Sequence, residues 1–527
     1  MTRQRLPIGI QDFDRLRNTG SYYVDKTPLI QDMIARGDHW FLSRSRRFGK
    51  SLLVDTVGAL FAGRESLFRG LDIHDHWDWS ITHPVLRLSF GGKYNEPEEI
   101  EGDIIEQLES VERAYDLAPA LTSGTGPRRL RNLLDRLHHQ TGRRVVVLVD
   151  EYDKPILDVL EYPEQARANR EYLRGFYGII KDSAAHVRFV FVTGVSMFSK
   201  VSLFSGLNNL KDISLDPRYA TICGYTDTDI DTVFAPELEG LDREAIRTWY
   251  NGYNWRGTER VYNPFDVLLL FDEREFKPHW FETGSPNFLF ETLKKISVSL
   301  KELENRTVDR SLISKFDVED ISPEALLFQT GYLTITDEKQ EGHRTVYRLD
   351  YPNQEVQLSL NDELLAYLNP TNRVPSEEGE TLRTLLEEND FRGFAETLKA
   401  YLASIPYQWH NSDQAHYEAW YASLLHMGFR AIGVDVRAAE FSSHGRADMV
   451  VLTGGQVFIF EFKMVATAGE NEAALETALA QIRNKGYAEK YRDRQEPIHL
   501  IAIACGRDTR NLLDIRVEPV SFCNELI

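Results

Sequence analysis

Phe41-Leu-Ser-Arg-Ser-Arg-Arg-Phe-Gly49-Lys50-Ser51 decides how the N-terminal half of the chain is read. The apolar run His39–Ser43 predicts a strand. Ser51–Phe61, with Leu53, Val57, Leu60 and Phe61 on one face, predicts a helix. A strand that turns through a tight basic loop into a helix offers inward-facing N–H groups, a setting that favours phosphate. Gly49, Lys50 and Ser51 fit the second half of a phosphate-binding loop, with Lys50 for the outer phosphates and the Ser51 hydroxyl for Mg²⁺. Arg46, Arg47 and Phe48 complete the loop on its N-terminal side. The first glycine of the usual spacing is missing, and Arg44 stands in its place. Gly-Lys-Ser alone also suits an ordinary helix start, so a second element is needed.

Arg143-Arg-Val-Val-Val-Leu-Val-Asp150-Glu151 supplies it: a buried apolar strand ending in two acids. Asp150 can hold the Mg²⁺ that bridges the outer phosphates, and Glu151 can polarise the attacking water. A strand ending Asp-Glu, roughly 100 residues after Gly-Lys-Ser, has the order of a nucleotidase core. Val187-Arg-Phe-Val-Phe-Val-Thr193-Gly194 adds a strand whose Thr193 could sense the terminal phosphate or hold the water. With Val85–Phe90, these strands alternate with helical stretches, which predicts an α/β fold with a mostly parallel sheet covered on both faces. ATP and Mg²⁺ are the expected cofactors.

At 527 residues the chain is too long for one core, and roughly two to four domains are expected. Hydrophobic residues at 42% and charged residues at 27% are ordinary for a globular protein, so composition excludes disorder. No apolar run approaches the roughly 18–20 residues of a membrane helix, and Met1–Pro7 has no apolar stretch fit for a signal peptide. Cys223, Cys505 and Cys523 are not spaced as a metal knuckle or redox pair, which excludes a zinc finger and a disulfide scaffold. A cytoplasmic protein with no membrane partner is expected. The net charge of -20 argues against a protein that coats nucleic acid nonspecifically, though it leaves room for a local basic groove.

On these signals residues 1–223 form the first domain. Residues 224–368 read as a helical, aromatic-rich lid. Within it Ser322-Pro323-Glu324 starts a helix, followed by a hairpin over Tyr332–Thr336 and Thr345–Leu349, an arrangement like a winged helix. Trp249-Tyr-Asn-Gly-Tyr-Asn-Trp255 reads as a docking surface between domains. Asn369–Gly379 combines prolines, glycine and charge, as a hinge does, and opens a helical linker over 369–408. The last domain spans 409–527.

That last domain holds a second constellation, Gly445-Arg-Ala-Asp448-Met-Val-Val-Leu-Thr-Gly454-Gly455-Gln-Val-Phe-Ile-Phe-Glu461-Phe-Lys463. A Gly454-Gly455 turn pairs Val450 with Ile459 and Leu452 with Val457, and puts Asp448 opposite Glu461. Carboxylates so placed lie roughly 5 Å apart and repel, which a cation between them would relieve. Phosphodiester cleavage needs a hard cation on such oxygens, here Mg²⁺ with Mn²⁺ as a substitute, and a cation such as Lys463 for the growing charge. A plain salt bridge at the strand end is the competing reading. Glu418 borders the apolar stripe of the preceding helix, and Ala473–Arg492 reads as one long helix carrying Gln481, Lys485, Lys490 and Arg492 towards a phosphate backbone.

Several stretches then carry a family resemblance. Ile8-Gly-Ile-Gln-Asp-Phe, Tyr22-Tyr-Val-Asp-Lys-Thr27, Arg46-Arg-Phe-Gly-Lys-Ser51, Asp150-Glu-Tyr-Asp-Lys-Pro155, Phe204-Ser-Gly-Leu-Asn-Asn209 and Asp216-Pro-Arg-Tyr-Ala-Thr-Ile-Cys-Gly-Tyr225 resemble the bacterial AAA-ATPase-like family. About residues 409–510 resemble the PD-(D/E)XK nuclease superfamily. There Asp448 matches the motif's aspartate, Glu461-Phe-Lys463 its Glu-x-Lys, Glu418 the acid of the first helix and Gln481 the glutamine of the later one. Ala447 replaces the proline that usually precedes the aspartate. The resemblance implies a P-loop ATPase joined to a Mg²⁺-dependent nuclease, with nucleic acid as partner and DNA favoured over RNA. Assembly of several copies is left open. The alternative is an ATP-dependent signalling switch whose nuclease-like domain only binds nucleic acid.

Overall fold

Parallel pairing of short strands builds the N-terminal part of the chain, seen here in a computed structural model. The structure describes residues 3–118, 124–197, 203, 209–279, 306–313, 322–360, 375–403, 421–422, 425–426, 428–430, 432–442, 445–466, 468–494, 496–507, 509 and 511–520. The chain divides into two compact units, Met1–Ile296 with Asn305–Glu355, and Ser297–Glu304 with Val356–Ile527.

In the first unit β1 (His39–Ser43), β2 (Val85–Ser89), β3 (Val145–Asp150), β4 (Val187–Gly194) and β5 (Lys211–Asp212) form a sheet in the order β2-β3-β4-β1-β5, and every pairing is parallel. All six residues of β3 are buried, as expected of a strand covered on both faces. The helix α1 (Lys50–Phe61) packs on β2, β3 and β4 through Val54, Val57 and Leu60, and α2 (Gly126–Thr141) packs on β3. Parallel pairing puts every carboxyl end at one edge, so Ser43 aligns with Gly194, Leu42 with Thr193, and Ser89 with Asp150. The residues picked out at three separate strand ends therefore share one rim.

The middle of the chain folds as part of this unit. β6 (Arg306–Asp309), α3 (Pro323–Thr330), β7 (Thr334–Glu341) and β8 (Arg344–Asp350) give a three-stranded antiparallel sheet in the order β6-β8-β7. The Ser322 hydroxyl caps α3 by accepting from Ala325 N. Gln329 joins α3 to the strand-end rim: its Oε1 accepts from Met197 N at 2.7 Å, and its carbonyl accepts from Ser45 Oγ. The aromatic stretch after Trp249 meets a residue of the expected first domain, as a docking surface would. Tyr250, Tyr253 and Trp255 are buried within the unit, and Phe48 of the basic loop sits edge-on to both Tyr253 and Trp255. Rings of this size gain more from filling the space under the loop than from water.

In the second unit, Pro375–Gly379 begins the helix Pro375–Glu387, so this half of the expected hinge is helical, with proline tolerated in the first turn. The other half, 369–374, lies outside the described residues, as do Phe204–Asn208 of the quoted motifs and Glu418 with the helix expected around it. β9 (Asp435–Ser442), β10 (Gly445–Thr453), β11 (Gln456–Val465), β12 (Ile498–Gly506) and β13 (Asn511–Val520) pair in chain order, antiparallel except for β11 with β12. The helix α4 (Asn471–Asn484) crosses between these two. It ends well short of Arg492, because Gly486 turns left-handed (φ 57°) and a separate short helix follows over Tyr487–Tyr491.

One contact in the first unit tests its packing. Gly252 has φ 128°, and a Cβ there would lie 1.8 Å from the carbonyl oxygen of Pro352. Gly252→Ala should destabilise the protein by roughly 2–4 kcal/mol through strain and backbone displacement. Urea unfolding followed by near-UV circular dichroism, which reports the packed aromatics, measures this.

Candidate functional site

The loop between β1 and α1 is held from within. Lys50 Nζ donates to the carbonyl oxygens of Arg44 and Ser45, both at 2.8 Å. Burial pushes the Lys50 pKa down, and the Asp150 carboxylate opposes that shift. Gly49 takes the left-handed conformation (φ 88°) at the start of α1, and Arg47 does so as well (φ 68°) despite its Cβ. A cavity of about 450 Å³ opens on this loop. Arg46, Arg47, Phe48, Gly49, Lys50, Ser51 and Glu151 line one side, and Tyr23, Val24, Phe265 and Leu268 supply apolar surface. The Arg47 guanidinium lies 4.2 Å over the Phe265 ring. A lining that combines charged groups with rings suits a nucleotide.

Asp150 and Thr193 meet at the rim, where Thr193 Oγ1 donates to Asp150 Oδ1 at 2.8 Å, but neither is among the residues lining the cavity. Glu151 does line it, with its backbone strained at φ 53°. Burial raises the Glu151 pKa, and repulsion from Asp150 raises it further. A carboxylate whose proton affinity is lifted this way is suited to take a proton from water. Asp153, also in the cavity wall, is buried and accepts from Val195 N and Ser196 N, so it fixes the turn after β4. Its signal in the sequence was the second aspartate of Asp150-Glu-Tyr-Asp153, which went unused.

Arg44, at the missing glycine, turns its side chain into the core, where 1% of the residue is exposed. Its guanidinium donates to the carbonyls of Ser43 and Ser214 at 2.8 Å and of Tyr219 at 3.1 Å, and stacks 4.3 Å over Trp255. Burial brings its pKa down to about 10. Its backbone N–H donates to Gly194 O at 3.1 Å, so this N–H serves the strand ladder and not a phosphate.

The hairpin of the second unit has the expected register. Met449 pairs with Phe460, Val450 with Ile459 and Leu452 with Val457, around Gly454 and Gly455 with φ of 56° and 68°. Two successive left-handed glycines make the tight turn that fixes this register. Asp448 Oδ2 accepts from Phe462 N at 3.0 Å. Glu461, its side chain 2% exposed, takes Lys463 Nζ at 3.2 Å on Oε1, and Gln481 Nε2 donates to the same oxygen. Glu461 Oε2 is buried with no partner. Burial, then the neighbouring Asp448, lifts the Glu461 pKa to about 7. Both the salt bridge and the opposed carboxylates are thus present.

Among the described residues no three His, Cys, Asp or Glu side chains gather as a metal cage. Asp448 and Glu461 nevertheless fit a divalent cation, because a buried carboxylate oxygen without a partner beside a second carboxylate lacks positive charge. A hard cation on two carboxylates would take its other ligands from water and substrate.

These two sites define a class: a phosphate-loop nucleotide domain in one chain with a nuclease-type sheet. The family model described as predicted AAA-ATPase matches residues 7–204, and that of the PD-(D/E)XK nuclease superfamily matches 416–514. The chain is 53% identical over 524 residues to a protein of Azotobacter chroococcum mcd 1 described as "Uncharacterized protein in vnfD 5'region", covering 99% of this chain and 100% of that one. The chain belongs to the AAA-ATPase-like family and carries a PD-(D/E)XK domain at its C-terminus. Among the described residues no helix is long and apolar enough to cross a membrane.

The Glu461 shift sets a pH dependence. With its pKa raised to about 7, the folded state holds a proton that the unfolded chain releases at the ordinary glutamate value. Stability in EDTA should therefore fall as pH rises through the window from about 4.5 to 7, and stay low above it. Glu461→Gln should remove that share of the slope, and Mg²⁺ should restore stability to wild type only. Thermal melts across this window, with and without Mg²⁺, check both.

Proposed function

We propose that the chain is a Mg²⁺-dependent ATPase whose nucleotide state governs a metal-dependent nuclease acting on nucleic acid, DNA before RNA. One observation carries the nuclease reading: Lys463 and Gln481 converge on one oxygen of buried Glu461, while its other oxygen has no partner. A cation held by Asp448 and Glu461 supplies Lewis acidity to the scissile phosphodiester. Lys463, held beside Glu461 at the strand end, is placed to donate to the charge that would grow on phosphorus-bound oxygen. Gln481 keeps the Glu461 carboxylate in one orientation. Glu418, by its motif position, would complete the acid set.

In the first unit Lys50 exchanges two carbonyl oxygens for the outer phosphates, at the start of a helix whose N-terminus favours an anion. Ser51 and Asp150 would hold the nucleotide's Mg²⁺, with Thr193 fixing the Asp150 carboxylate. Glu151 draws the proton from water. The buried Cys223 thiol, without a disulfide, supports a reducing cytoplasm.

Purified protein should hydrolyse ATP and cut plasmid or single-stranded DNA only with Mg²⁺ or Mn²⁺. Lys50→Ala should lose ATP affinity and turnover, whereas Glu151→Gln should bind ATP and fail to turn it over. Wild-type turnover in both would overturn the ATPase assignment. Lys463→Ala should retain folding and metal binding while cleavage falls roughly 10²–10³-fold. The signalling alternative predicts DNA binding with no cleavage in any variant.

Control by nucleotide is tested separately. Cleavage measured without nucleotide, with ATP and with a nonhydrolysable analogue should give at least two distinct rates. Three equal rates would mean two independent activities.

A further inference from the structure

At the opposite edge of the parallel sheet lies a second cavity, of about 440 Å³. Its lining comes from the amino ends of the strands: His83 precedes β2, Arg143 and Arg144 precede β3, and Arg188 is the second residue of β4. Phe61 closes α1 here, while Lys50 opens it at the nucleotide loop. A helix of 12 residues puts the two cavities about 18 Å apart along its axis, so occupants need not compete.

Three arginines against one acid, Asp78, line this cavity in a chain whose net charge is -20. Arg188 pairs with Asp38, but the Arg143 and Arg144 guanidinia have neither an ion pair nor a hydrogen-bond partner among the described residues. Asp78 is the one acid of the lining, so the arginines leave an excess of positive charge there that an anion would balance. The field is felt locally: burial lowers the His83 pKa, and Arg188, Arg143 and Arg144 push it down further. Guanidinium forks match phosphate oxygens two at a time.

The rest of the wall is flat and aromatic. Trp77 meets Phe61 edge-on at 5.5 Å, and His138 stacks on His186 at 5.1 Å and 23°. Trp77 Nε1 and His138 Nδ1 are buried and have no partner. A volume of this size accepts a small organic molecule rather than an ion alone.

We propose that this cavity binds a nucleoside monophosphate group, either free or at the 5′ end of a strand. The phosphate lies on Arg143 and Arg144, and the flat ring lies against Trp77. Neither source carries the second phosphate that the Lys50 loop is built to reach.

Isothermal titration of the full-length protein with AMP, with a 5′-phosphorylated dinucleotide and with inorganic phosphate tests this. At least one nucleotide probe should bind more tightly than phosphate, and Arg143→Ala/Arg144→Ala should weaken it about tenfold or more. Both arginines are exposed, and ADP affinity at the loop should be unchanged in this variant, which shows that it is folded. Trp77→Phe, which leaves a smaller ring in the wall, should weaken the probe by a smaller factor. AMP binding as well as the dinucleotide identifies a free nucleotide; preference for the dinucleotide identifies a strand end. No binding of either nucleotide probe, equal affinity in the double-arginine variant, or phosphate binding as tightly as both nucleotides would each overturn the proposal.

Discussion

Buried charge is the constraint on which both units depend. An ion taken from water costs several kcal/mol unless oppositely charged or strongly dipolar groups replace the lost solvent. In the first unit the buried cations, Arg44 and Lys50, are surrounded by carbonyl oxygens and not directly paired with carboxylates. Dipoles of this kind keep the cation tolerable but leave it attractive to a full negative charge. The loop is therefore prepared for phosphate without being neutralised in advance. The second unit has the inverse problem. Buried Glu461 is partly compensated by Lys463 and Gln481 on one oxygen, while its other oxygen has no partner. One site lacks an anion, the other a cation.

Arg44 shows how a loop can dispense with a glycine. Glycine at this position usually gives the turn its conformational freedom and lets backbone approach phosphate. Here the backbone N–H of Arg44 continues the β1–β4 ladder to Gly194, so the turn begins one step later. The side chain then ties the end of β1 to the carbonyls of Ser214 and Tyr219 and to the face of Trp255. These partners lie far along the chain, as do Gln329 and Gly331, which pack against Ser45. The loop thus takes its final shape only when the middle of the chain has folded onto it.

Legibility in the sequence followed the range of the forces involved. β3 and β4 were visible as apolar runs because a strand buried on both faces is apolar almost throughout, and the edge strand β2 showed the alternation of a half-buried one. The Asp448–Glu461 juxtaposition was readable because two adjacent glycines fix a hairpin register residue by residue. Tertiary choices were not readable. β6 is a four-residue edge strand with too short a pattern to register, and the aromatic stretch around Tyr253 gave no sign that Phe48 would fill it. Gly486 was passed over because basic residues continue on both sides of it, although its left-handed turn ends α4. Arg44 looked like a defect in a motif, since its carbonyl partners are distant in sequence.

Parallel strands explain why the remaining site residues meet at all. β11 and β12 run in the same direction, so the chain must cross back between them, and α4 makes that crossing over the sheet. Its stripe of Leu475, Ala478, Leu479 and Ile482 packs against Val450, Ile459 and Leu500, which fixes the rotation of the helix about its axis. Gln481 sits at the edge of that stripe, next to Ile482, and this rotation aims its amide at Glu461. The same logic holds in the first unit, where α1 must return from β1 towards β2. Packing of Val54, Val57 and Leu60 sets its rotation, and Lys50 at its start is thereby pointed back into the loop. In each unit an apolar stripe that touches no substrate determines where the polar group acts.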